Sequence, residues 1–225
     1  MSKITWDNVG EKYYETGVSC GVLYKQVNGA YPAGVGWSGL TSVTESPDGA
    51  EANDIYADNI KYGSIRSAET FGGSIGAYIY PDEWEECDGS RSPVAGMYLG
   101  QQSRVAFGLT YRTEIGSDAT SEAGYKLHLV YGATAAPSER SHETINDSPD
   151  PMEMSWDFDT VPVPVTGYRP VAHLWFDSRR VNATKLAALE AILYGTDPDP
   201  NDVSDEGTTA RLPLPAEIIT MMTTQ

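Results

Sequence analysis

Apolar and polar residues alternate along much of this chain. From Arg104 to Arg112, Val105, Phe107, Leu109 and Tyr111 share one side, and Arg104, Ala106, Gly108, Thr110 and Arg112 share the other. Period-two alternation predicts a strand. Tyr125 to Tyr131 repeats it, with Tyr125, Leu127, Leu129 and Tyr131 against Lys126, His128 and Val130. The polar link through Gly116-Ser117-Asp118 to Gly124 makes these two runs an antiparallel hairpin with one buried face. Met154, Trp156 and Phe158 alternate with Ser155, Asp157 and Asp159, and Pro162 and Pro164 limit that run to an edge or an end. Further strands are predicted at Ser19–Val27, Trp37–Thr44 and Phe71–Tyr80; in the last, Ile75, Ala77 and Ile79 face away from Gly76, Tyr78 and Tyr80. Val171–Phe176 is apolar on both faces, which predicts a strand buried in the fold or in an interface.

Helical spacing is clear at Asn182–Tyr194. Leu186, Leu189, Ile192 and Leu193 form one stripe, Asn182 fits the N-cap and Gly195 the stop. Pro81-Asp82-Glu83-Trp84 predicts the first turn of a short helix ended by Asp88-Gly89, and Leu214–Met222 a closing helix with Pro215 at its start. Ser90–Gly100 reads as irregular. Seven or so strands with a helical segment at about 182–222 predict one mainly β domain over residues 1–225: a β-sandwich or partly closed barrel with a flanking α-helix.

One stretch resists this scheme. Ser46-Pro47-Asp48-Gly49 reads as a turn, and about twenty-five residues separate the strand before it from the strand after Thr70. The arm between them, about 46–66, interleaves Glu51, Asp54 and Asp58 with Ile55, Tyr56, Ile60 and Tyr62. It is too polar for a core and too patterned for disorder. It reads either as a long surface loop or as an arm that orders on a neighbouring molecule.

Composition narrows the function. The net charge is −17, with 32 acidic and 15 basic residues. That argues against a basic groove for nucleic acid. Glycine at 22 and proline at 14 favour a turn-rich β architecture. The two cysteines, Cys20 and Cys87, lie far apart and outside any C-x-x-C pair, so buried free thiols are expected. The N-terminal residues have no apolar core resembling a signal peptide, and no run reaches membrane-spanning length; folding in a cytoplasm is the expectation.

Catalytic and metal signatures are missing from the pattern. His128, His142 and His173 are not at metal-ligand spacing, and no nucleophile elbow or phosphate loop is present. Carboxylate pairs such as Asp157 with Asp159 and Glu85 with Glu86 are expected by chance in so acidic a chain. Asp197 to Asp202 invites a calcium reading, but the sixth loop position is Asp202 instead of glycine and the twelfth is Thr208. No enzyme, metal or cofactor is expected.

Several word-like segments resemble one family when taken in order: W-S-G-L, S-P-D-G-A-E-A-N-D-I-Y-A-D-N-I-K-Y, A-Y-I-Y-P-D-E-W-E-E-C-D-G, L-A-A-L-E-A-I-L-Y-G-T-D and R-L-P-L-P-A-E-I. Together they resemble the major tail tube proteins of long-tailed, non-contractile bacteriophages. The resemblance implies a β-barrel-like sandwich with a helix packed on it, and a structural virion protein located in the phage tail. It implies six-membered rings stacked into a tube that conducts DNA as a transient passenger. Its implied partners are further copies of itself, a tape measure protein, a tail terminator and a distal tail protein, with no membrane.

On this reading a ring of six carries a charge of about −100. An acidic bore offers DNA few cationic holds. The Ser155, Asp157, Asp159 face is then expected to line the lumen. Arg104 and Arg112 are expected at a subunit contact, and Glu51, Asp54, Ile55, Tyr56, Asp58 and Tyr62 between rings. Two alternatives are a secretion-system tube or capsid-decoration protein of related fold, and a carbohydrate-binding β-sandwich using Trp84 and Trp156 as exposed sugar platforms.

Overall fold

Strands follow the alternating runs in the computed structural model, which describes residues 3–49, 51–142, 144, 151–198 and 206–224. In chain order they are β1 (Tyr13–Lys25), β2 (Gly34–Trp37), β3 (Leu40–Gly49), β4 (Ala52–Ala57), β5 (Ile60–Arg66) and β6 (Glu69–Ala77). The short helix α1 (Trp84–Cys87) follows, then β7 (Arg91–Val94), β8 (Met97–Leu99), β9 (Phe107–Ser117), β10 (Gly124–Ala135), β11 (Met154–Thr160) and β12 (His173–Asp177). Helices α2 (Ala183–Tyr194) and α3 (Pro215–Thr223) complete the described elements. Residues 199–205 lie outside the described residues, and with them most of the Asp197 to Asp202 stretch of the calcium reading.

The protein is mainly β, built on one large antiparallel sheet in the order β2-β1-β9-β10-β11-β6-β3, with β12 also paired to β10. β10 is where the sheet divides. Lys126–Val130 pairs with β12, whereas Ala133–Ala135 pairs with β11. Gly132 stands between the two ladders with φ +61°, a conformation that disfavours other residues. Its N–H donates to the Tyr31 hydroxyl at 2.8 Å, and its carbonyl accepts from Val161 at 2.9 Å. A Cβ here would strike the Val161 backbone, so glycine is required twice over. The ends of the sheet, β2 and β3, are linked in the chain by Ser38-Gly39, yet no ladder joins them among the described residues. The sheet is not a closed barrel.

Two cores lie on either side of the central strands. Leu23, Phe107, Leu109 and Val130 point into the first, with Ile75, Trp156 and Phe158 from β6 and β11 and Trp84 from α1. Val22, Tyr24, Leu127, Leu129 and Tyr131 point into the second, against Leu186, Leu189 and Leu193 of α2 and Ile218 of α3. Each large apolar side chain fully buried contributes about 1.5–3 kcal/mol. The β9–β10 hairpin is therefore buried on both faces, not on one as the alternation predicts. Small or hydroxylated residues disguise the second face: Gly108 lies under Leu212, and the buried Thr110 meets the Tyr24 hydroxyl at 3.4 Å.

The helix forms where its spacing predicts. Asn182 Oδ1 accepts from the Thr184 and Lys185 N–H groups at 3.0 and 3.2 Å, and Gly195 ends the helix at φ +76°. Leu186, Leu189 and Leu193 are buried, while Ile192 is half-buried. Lys185 Nζ reaches the carbonyls of Met222 and Thr224 at 2.7 and 2.6 Å, so α2 caps the end of α3.

Several expectations need correction. Ser46–Gly49 is not a turn; it continues β3, with Pro47 opposite Phe71. Proline is tolerated there because β3 is an end strand and one N–H needs no partner. Trp84 and Trp156 are 0% and 1% exposed and sit 5.4 Å apart in an aromatic cluster with Trp37, so neither is a sugar platform. Ser90–Gly100 holds a small hairpin, β7–β8, turned at Gly96. Cys87 is buried, and burial pushes its thiol up to about 12, but Cys20 is exposed. On β12, Trp175 is 60% exposed, so that strand is wet on part of one face.

Candidate assembly surfaces and a histidine cleft

The arm is a second, separate ladder. β4 and β5 pair antiparallel from Ala52↔Arg66 to Ala57↔Ile60, with a register shift between Ile55 and Tyr56. Asp58 and Asn59 form the two-residue turn, both at positive φ (51° and 63°). Two positive φ values suit the right-handed twist of a hairpin, and Asp and Asn tolerate them better than most residues. Asp54 pairs with Lys61 at 2.8 Å, which holds its carboxyl below the usual range. Glu51, Tyr56, Asp58 and Tyr62 are exposed, as are Ile55, Ile60 and Ile65; exposure reaches 68% at Tyr56 and 77% at Tyr62. A lone two-stranded ribbon is marginal in water, and five large apolar side chains have little to pack on.

Ser155, Asp157 and Asp159 all emerge on the outer face of β11, with Met154, Trp156 and Phe158 turned inward. The register extends this outer face across two more strands. Asp157 lies beside Ser74 and Thr44, and Asp159 beside Gly72 and Ser46. β3, β6 and β11 contain no lysine or arginine at all. The result is a smooth three-strand surface of glycine, hydroxyl and carboxylate groups.

The two arginines do not share a surface. Arg104 precedes β9 and lies half-buried against Gly89, with Nε lacking a hydrogen-bond partner. Arg112 is engaged inside the chain: it pairs with Glu190 of α2 at 2.7 Å, donates to the Tyr194 hydroxyl at 3.2 Å and stacks over the Tyr125 ring at 4.4 Å. Its guanidinium ties α2 to the sheet, which leaves it little to offer a neighbour.

The fold also assembles a cluster that linear spacing hides. Tyr111, His128 and Trp175 lie opposite one another on β9, β10 and β12, and His173 is diagonal to His128 on the same face. Glu45 reaches them from β3 across the mouth of the first core. His128 Nδ1 is 3.2 Å from His173 Nε2 and 3.1 Å from Glu45 Oε1, and the last two are 3.6 Å apart. The Tyr111 hydroxyl donates to Glu45 Oε1 at 2.6 Å, and its ring stacks on His128. The hydrogen bond with His128 holds Glu45 down to about 2, helped by Tyr111 and opposed by burial. Burial pushes His173 down to about 4, so its ring is neutral at pH 7. These residues border an open cleft of about 640 Å³. The one sequence sign was that both histidines fall in strands, and strand pairing cannot be read from spacing within one strand.

No protein-family model matches the chain, and no curated protein matches it. Among the described residues, no helix is long and apolar enough to cross a membrane.

Arg112→Ala leaves Glu190 without its ion-pair partner, with only the Tyr125 hydroxyl donating to it among the described residues, and is expected to lower unfolding free energy by about 2 kcal/mol. Arg112→Lys is expected to restore only part of this, because lysine lacks the planar fork. Urea denaturation of the three forms measures both effects.

Proposed function

We propose that this chain is a structural subunit of a phage tail tube, acting by assembly and not by chemistry. The observation that carries the reading is the exposed β4–β5 ribbon with Ile55, Tyr56, Ile60, Tyr62 and Ile65 open to solvent. Such a ribbon gains its missing packing by lying against another molecule, and aromatic residues concentrate binding energy. A second copy of this chain is the occupant that fits the segment resemblance described above.

Two further observations support the same reading. Among the described residues the main sheet ends at β2 and β3 with no further strand paired to either, although Gly34 at the start of β2 donates to the Ala210 carbonyl at 2.8 Å. An edge of one copy meeting a different edge of the next is a head-to-tail contact, which generates a ring when the rotation closes. Lateral contacts belong to these edges in this account, and neither Arg104 nor Arg112 is retained as one. The acidic outer face of β11, β6 and β3 is the candidate lumen wall. It offers carboxylates and hydroxyls to passing DNA and no lysine or arginine, so no counterion release holds the backbone in place.

Replacing Tyr56, Tyr62 and Ile65 together by serine is expected to leave a folded monomer that no longer polymerises, checked by circular dichroism, sedimentation and negative-stain imaging. Tubes of normal length and yield from this variant contradict the ribbon's role. Asp157→Lys with Asp159→Lys is expected to leave tube formation intact while raising the tube's affinity for duplex DNA and steepening its salt dependence. An unchanged affinity in a filter-binding titration removes this face from the lumen.

A further inference from the structure

Three donor atoms converge at the mouth of the first core: Glu45 Oε1, His128 Nδ1 and His173 Nε2, with mutual separations of 3.1, 3.2 and 3.6 Å. Ligands bound to zinc at its usual bond lengths in a tetrahedral site stand about 3.3 Å from one another. The triangle therefore has the size of one face of such a tetrahedron before any metal is considered. It differs from a chance meeting of surface carboxylates, because the His128 and His173 side chains are only 8% and 10% exposed.

Proton bookkeeping points the same way. The Thr113 hydroxyl donates to Glu15 Oε1 at 2.5 Å, and a carboxylate can only accept. The Thr113 oxygen is then free to accept from His128 Nε2, 3.1 Å away. With Nε2 directed at Thr113, Nδ1 is the ring nitrogen of His128 that faces Glu45 and His173. Glu45 Oε1 already accepts from Tyr111. One proton, on His173 Nε2, satisfies the contact between the two histidines. The 3.1 Å contact between Nδ1 and Glu45 Oε1 needs positive charge between the two atoms: the proton of the hydrogen bond described above, or a metal ion in its place. The chain His128–Thr113–Glu15, with Lys126 paired to Glu15, is the outer support that orients a metal-binding imidazole.

We propose that Glu45, His128 and His173 form a binding site for a divalent metal of the zinc class, with a fourth position open to the cleft and filled by water. Two imidazoles and one carboxylate suit zinc better than calcium or magnesium, which take oxygen ligands. The ligands come from β10, from its ladder partner β12, and from β3, which pairs with neither among the described residues. A bound ion therefore ties the end strand β3 to the centre of the sheet, and it stabilises the folded state by mass action. The inference does not depend on the tube reading, since a chain that never polymerises tests it equally well.

The full chain, stripped with a chelator and dialysed, is titrated with zinc chloride by calorimetry and with cobalt chloride by visible absorption. The expected result is one zinc ion per chain, intense four-coordinate cobalt bands, and a higher thermal midpoint with zinc. His128→Gln and His173→Gln are each expected to weaken zinc binding at least about 100-fold, and Thr113→Val about 10-fold. Glu45→Gln, at the exposed edge, is a ligand variant that spares the packed rings, and it is expected to abolish the cobalt bands. His142→Gln, an exposed histidine outside the cluster, is expected to bind like the parent. Circular dichroism verifies the fold of each variant. The proposal is overturned if the parent chain binds no zinc. It is equally overturned if the folded Glu45→Gln and His173→Gln variants bind as the parent does.

Discussion

Everything in this fold is arranged around the burial of β10 on both faces and both edges. Residues of one strand alternate between two cores: Val130 into the first, and Leu129 and Tyr131 into the second. β9 covers one edge along most of its length, and the other edge is shared between β12 and β11. Along its buried stretch, Leu127 to Ala133, backbone groups must find their partners within the chain and not in water. That demand explains the corner at Gly132, where the backbone turns to hand one edge from β12 to β11. It also explains the hydroxyl of Tyr31, which accepts the one N–H that the corner frees. α2 and α3 then close the second core, and Arg112 fixes α2 in place through Glu190 and Tyr194.

What the centre satisfies, the periphery leaves open. Among the described residues no further strand pairs with the end strands β2 and β3, and the β4–β5 ribbon carries large apolar side chains into solvent. These are the features a solitary protein suppresses, because open edges and bare ribbons invite association. Here they occur together with a three-strand acidic face that lacks any basic residue. A subunit that completes its packing against copies of itself accounts for the edges and the ribbon with one cause. The histidine cluster is a separate matter: it sits where Glu45 of β3 comes within reach of β10 and β12, with which β3 shares no ladder among the described residues.

Legibility differed by element for physical reasons. α2 was readable because its stripe, its Asn182 cap and its Gly195 stop are all local. The faces of β11 were readable because Ser155, Asp157 and Asp159 alternate strictly with Met154, Trp156 and Phe158. The ribbon's presence was signalled by Ile55, Tyr56 and Tyr62, but its hairpin was not, because Asp58-Asn59 lacks the glycine that usually marks such a turn. Pro47 hid the continuation of β3, since a proline within a strand is acceptable only at an end strand, and sheet order is not a local property. The second buried face of β9 was masked by Gly108 and Thr110, whose small size is what admits Leu212 and Tyr24. The meeting of Glu45, His128 and His173 depends on register among three strands and left no trace in spacing.

The central claim is that the β4–β5 ribbon is incomplete in the single chain and is completed by another copy. Hydrogen–deuterium exchange of the isolated chain and of the assembled particle, resolved to residues 52–66, tests this most directly. The account predicts rapid exchange of these amides in the monomer, with slow exchange in β9 and β10, and strong protection of the ribbon once copies assemble. Ribbon amides already protected in the monomer, or equally unprotected in both states, contradict it.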